Sequence, residues 1–108
     1  MVDHKAVVAV EVRPHPIAAA FHHLLTFPVV EIDGREHVMK WGTGTIPLAA
    51  GQHRIRVFFR YRGQKGTHLA LASREFTVDG RARRVRITAQ LGARNGSRFR
   101  IGDPVVQA

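Results

Sequence analysis

From His53 to Arg62 apolar and basic side chains alternate: Ile55, Val57, Phe59 and Tyr61 share one parity, and Arg54, Arg56, Phe58, Arg60 and Arg62 the other. Successive side chains of a strand point to opposite faces, so a period of two sustained this long predicts a half-buried β-strand. Arg83–Leu91 repeats the pattern, with Val85, Ile87, Ala89 and Leu91 inward and Arg84, Arg86, Thr88 and Gln90 outward. A last short strand sets Phe99 and Ile101 inward and Arg98 and Arg100 outward. Lys5–Val12 is valine-rich and reads as a strand that Pro14 and Pro16 stop.

Glycine turns punctuate these runs. Asp33-Gly34 and Asp79-Gly80 each separate two strand-like stretches. Asp-Gly suits a two-residue type I′ turn, in which both residues take φ > 0, so a hairpin is expected at each. Gly63-Gln64-Lys65-Gly66 predicts another, and Gly42-Thr43-Gly44 and Ala50-Gly51 read as further turns. In Thr67–Val78 the apolar parity shifts from Leu69 and Leu71 to Phe76 and Val78, which predicts a bulge or break near Ala72–Arg74. Residues 16–25 fit a short helix, with Pro16 in its first turn and Ile17, Phe21, Leu24 and Leu25 on one face. A strand over Ala18–Leu25 is the rival reading. Seven or eight short strands at regular spacing predict an all-β fold: an antiparallel β-sandwich, immunoglobulin-like in the broad sense. One domain is expected over residues 1–103, with residues 104–108 as a loose tail.

Composition narrows the chemistry. With no cysteine among 108 residues, disulfides, thiolate metal sites and cysteine nucleophiles are excluded. Small secreted domains often carry disulfides, so their absence points to a reducing, cytoplasmic setting. The N-terminal stretch shows no signal-peptide pattern, and no segment reaches the roughly 18–20 apolar residues of a membrane span. Net charge is +9, unevenly placed: residues 1–50 carry four basic and five acidic side chains, residues 51–108 thirteen and three. Fourteen of the seventeen basic residues are arginine. Coding bias toward G and C would favour arginine over lysine, but it explains less well why the charge sits in one half.

The stretch Val29–Val78 resembles PEGA-like β-sandwich domains and related small bacterial immunoglobulin- or transthyretin-like modules. The matching residues are Ile32-Asp33-Gly34, then Thr45-Ile46-Pro47-Leu48, then Ala50-Gly51-Gln52-His53-Arg54-Ile55-Arg56-Val57, where a turn ending Gly-x-His leads into a long alternating strand. Ala50 stands where those domains usually carry proline. The resemblance implies a non-catalytic binding or structural module and brings no active-site residues with it.

Candidate chemistry is sparse. The seven histidines (His4, His15, His22, His23, His37, His53 and His68) contain neither His-x-His nor His-x-x-x-His, so no metal site or cofactor is expected. His53 follows a glycine turn, where its ring can cap a turn carbonyl. Asp33 and Asp79 serve their turns, and Glu31, Glu36 and Glu75 have basic neighbours with which to pair. Ser73 and Ser97, the only serines, lie in no nucleophile elbow. The chain is therefore expected not to be an enzyme.

The arginine stripes stand out: Arg54, Arg56, Arg60 and Arg62 on one strand, Arg84 and Arg86 on a second, Arg98 and Arg100 on a third. If those strands share a sheet they form a basic plate, and Phe58 among them would offer a ring for base stacking. Two functions are expected, in order. The first is an interaction module that binds a protein partner or itself, with Trp41 and Phe58 as anchors and edge strands as oligomer contacts. The alternative is nucleic-acid or polyanion binding through the arginine face.

Overall fold

The computed structural model describes residues 5–92 and 98–107. Among the described residues the alternating runs become nine strands in two sheets. One, the β1 sheet, has the order β4 (Gly42–Ala49), β1 (Lys5–Arg13), β7 (Arg84–Leu91), β8 (Phe99–Ile101), with β9 (Val105–Gln107) sharing the edge of β7. The other, the β5 sheet, has the order β3 (Arg35–Val38), β2 (Thr26–Ile32), β5 (Gly51–Tyr61), β6 (Leu69–Val78). Between them Val8, Val10, Val12, Val85 and Ile87 meet Val30, Ile32, Ile55, Val57 and Phe76 in one buried core. This is the expected all-β sandwich.

Several expectations need correction. The sheets are not purely antiparallel, because β1 runs parallel to β7. Residues 105–107, expected in a loose tail, pair with Arg84–Arg86 as β9. Gly42-Thr43-Gly44 is not a turn but the start of β4. Asp33-Gly34 forms the expected hairpin, with φ of 52° and 85°. Asp79-Gly80 does not: β6 and β7 lie in different sheets, and Gly80 has no positive φ. There the Asp79 carboxylate accepts the Arg81 amide at 2.8 Å and its carbonyl the Ala82 amide at 3.0 Å, a turn that carries the chain across the sandwich. The break in β6 falls at Ala70 rather than at Ala72–Arg74. Val57 pairs with Ala72 but Phe59 with Leu69, so β6 holds one extra residue, and Ala70 takes φ 58°.

The helix is present, as a 3-10 turn at Pro16–Ala18 followed by α1 (Ala19–Leu25). The His15 ring accepts the Ile17 amide at 3.2 Å and caps the turn. The helix is inverted, however. Its buried residue is His22, while Ile17, Phe21, Leu24 and Leu25 face outward. Among the described residues no helix is long and apolar enough to cross a membrane.

Candidate anion-binding surface

The arginine-bearing strands do not share a sheet. β5 lies in one, β7 and β8 in the other, and their outward arginines face opposite sides of the sandwich. The expected single plate is thus two surfaces of different character.

On the outer face of the β5 sheet the arginines are neutralised. Register sets Arg56 opposite Glu31 and Arg54 opposite Glu75, and the pairs close at 2.9 and 2.7 Å. Arg60 forks onto Glu36 with two bonds of 2.9 Å and donates through Nε to the Thr67 carbonyl at 2.8 Å. The Arg60 hydrogen bond holds the Glu36 carboxyl below the usual carboxylate range. Phe58 lies beneath this network and is fully buried with Val29 opposite it. The Arg60 guanidinium stands 5.1 Å above its ring, and the His68 ring meets it edge-on at 4.3 Å. Phe58 is therefore no exposed stacking platform. It fills a small secondary core outside the sheet, because Arg60 and the β5–β6 loop close over it. Arg62 is also committed: its Nε donates to the Leu24 carbonyl and its amide to the Leu25 carbonyl, each at 2.9 Å, at the C-terminal end of α1.

Trp41, expected at an interface, is buried in the core. Its Nε1 donates to the His22 carbonyl and to Thr26 Oγ1, each at 3.1 Å, and its ring stacks on Phe99 at 6.0 Å. His53 does cap a turn: Nε2 reaches the Ala49 carbonyl at 2.8 Å, and Nδ1 meets Asp33 Oδ2 at 2.5 Å. Among the described residues no group of three His, Asp or Glu side chains could hold a metal. Of the residues considered for chemistry, His4 and Ser97 lie outside the described residues.

The outer face of the β1 sheet is different. Lys5, Arg84 and Arg86 have outward parity on β1 and β7, and Arg100 continues them on β8 opposite Gln90. The one glutamate on this face, Glu11, is bonded by Arg13 at 2.7 Å. That bond foremost, with help from the Arg13 and Arg86 charges, keeps the Glu11 carboxyl lower than usual against the opposing effect of burial. Among the described residues no carboxylate forms an ion pair with Lys5, Arg84, Arg86, Arg98 or Arg100. Alternation alone identified Arg84, Arg86 and Arg100. It missed Lys5, whose signal was its odd parity on a strand with an even-numbered core. Comparison with protein-family models, curated proteins and solved structures found no match for the chain.

Proposed function

We propose that the chain is a non-enzymatic interaction module that binds a polyanion, nucleic acid foremost, through the outer face of its β1 sheet. The observation that carries this reading is the asymmetry of its arginines. Arg54, Arg56 and Arg60 of β5 are satisfied by Glu75, Glu31 and Glu36, whereas Lys5, Arg84, Arg86 and Arg100 share a face on which, among the described residues, Glu11 is the one carboxylate and is already taken. Unpaired cations on a flat sheet attract phosphates whatever the base sequence. Phe58 lies buried on the opposite side of the sandwich, so this face offers charge without that stacking ring, and single strands gain no advantage over duplexes. A protein contact or self-association anchored on Trp41 or Phe58 loses its support, since both rings are buried. The resemblance to PEGA-like, immunoglobulin-like bacterial domains fits a module without catalysis, and the lack of cysteine fits a cytoplasmic setting.

Duplex DNA binding measured across a salt series tests the reading. Four phosphate contacts give a log–log slope of about −3 to −4. Replacing Arg84 and Arg86 together by glutamine flattens that slope by about 2, while Arg54→Gln leaves it unchanged. Absence of binding at low salt, or an equal effect from Arg54→Gln, overturns it.

A further inference from the structure

A helix at the surface of a sandwich ordinarily turns its apolar stripe inward. Here the stripe points out: Ile17 is 89% exposed, Leu24 73%, Leu25 49% and Phe21 42%. The cause lies beneath the helix. His22 Nδ1 bonds Thr26 Oγ1 at 3.0 Å, the Thr26 hydroxyl donates to the His22 carbonyl at 2.8 Å, and Trp41 Nε1 reaches both residues. Arg62 holds the last carbonyls. These polar anchors fix α1 by its His22 side and leave the apolar side unpartnered. Tyr61 extends that side, its ring 5.9 Å from Phe21.

Two clefts bracket the segment. One, of about 520 Å³, runs between α1 and the β3–β4 connection, with Lys40, Arg62 and His23 in its wall. The other, of about 550 Å³, lies beside the 3-10 turn, with His15, Arg98 and Arg100 in its wall. Among the described residues neither lining contains a carboxylate. An apolar ridge with a cation-lined cleft beside its first residues and another beside its last complements a surface that is apolar within and anionic at its rim.

We propose that this end of the sandwich docks on an anionic lipid bilayer. Ile17, Phe21, Leu24 and Leu25 enter the boundary between headgroups and acyl chains, and the two clefts receive lipid phosphates. The ridge projects from the surface, and a bilayer accepts such a shape without a matching groove. A second copy of the chain is the poorer occupant, because it would bring a surface bearing the same cations, Lys40, Arg62 and Arg98, with no carboxylate in the described linings to meet them. This proposal goes beyond polyanion binding by the β1 sheet, and of its residues only Arg100 also belongs to that face.

The test is co-sedimentation of the purified chain with vesicles of phosphatidylcholine alone, or of phosphatidylcholine with about one third phosphatidylglycerol. The chain is expected to bind the anionic vesicles and not the neutral ones. Ile17→Asp and Leu24→Asp each reduce binding by at least about tenfold and leave duplex DNA binding intact. Both positions are exposed, so the fold tolerates the change. Lys40→Glu combined with Arg98→Glu also weakens vesicle binding. Replacing Arg84 and Arg86 by glutamine, which tests the β1-sheet reading, costs less than about threefold here. The proposal is overturned if the chain ignores anionic vesicles, as it would were an acidic protein the true occupant. It is equally overturned if Ile17→Asp and Leu24→Asp leave vesicle binding untouched, or if they disperse a dimer in lipid-free solution.

Discussion

The pKa values of His53 and His22 move in opposite directions from 6.5, with opposite consequences for stability. Burial disfavours the charged ring of His53, but the Asp33 hydrogen bond, the Ala49 carbonyl and the Asp33 charge outweigh it and raise its pKa above 6.5. Both ring nitrogens face acceptors, which only the imidazolium can satisfy. The stability this provides is complete below pH 6.5 and is lost as pH rises through the folded value. Asp33, held low first by the His53 bond and then by the Arg54 amide, loses its own contribution only in acid, as pH falls through its folded value. For His22, burial first and the His23 charge second lower the pKa, so charging it costs the fold. Stability therefore declines as pH drops below 6.5 toward the folded value. Urea unfolding from about pH 5 to about pH 8 should show the wild type weakening at both ends. His53→Gln should remove the alkaline decline and His22→Gln part of the acidic one; unchanged profiles would refute the assignments. The turn-capping role of His53 was legible from its place after Gly51. Its bond to Asp33 was not, because a partner in another hairpin leaves no local trace.

Within β5 the arginines look alike in sequence but not in energetic weight. Arg54 and Glu75 have side chains 61% and 74% exposed, where water screens the pair. The Arg60 side chain is 9% exposed, forked onto Glu36, bonded to Thr67 and laid over Phe58. Arg60→Ala should cost about 2 kcal/mol or more in denaturant unfolding, and Arg54→Ala less than about 0.5 kcal/mol. Equal costs would mean that the Arg60 network adds nothing. Alternation revealed which side chains share a face, since parity is a local property. It also led to Glu31, Glu36 and Glu75 as partners for basic neighbours. It could not show that Phe58 is covered, because the cover comes from a loop and a fork that span strands. The two Asp-Gly turns teach the same lesson. Asp33-Gly34 closes a hairpin because β2 and β3 are neighbours, whereas the same dipeptide at Asp79-Gly80 spans two sheets. Pairing decides which, and a dipeptide does not encode pairing.

At the scale of the whole molecule, charge, apolar ridge and core occupy separate regions. One face of the sandwich is neutralised, the other carries no acid beyond Glu11 among the described residues, and one end carries the exposed helix. The excess of positive charge in the second half was visible in the sequence; its division between faces was not, since strand order alone sets it. Strand order also grades protection. Amide exchange should be slowest in β1, β7, β2 and β5, which have partners on both sides, and fastest in β3, β8, β9 and α1. Uniform exchange across central and edge strands would contradict the pairing. The parallel contact of β1 with β7 carries a further, kinetic consequence. It joins residues such as Arg13 and Gln90, 77 positions apart, whereas the β2–β3 and β5–β6 hairpins close over short turns. Loop-closure entropy must be met before so distant a contact returns anything. The β5 sheet is therefore expected to form before the β1 sheet, and hydrogen-exchange labelling during refolding that protects β1 and β7 first would contradict it. During synthesis the valine row of β1 waits without this neighbour until Arg84–Leu91 have emerged from the ribosome.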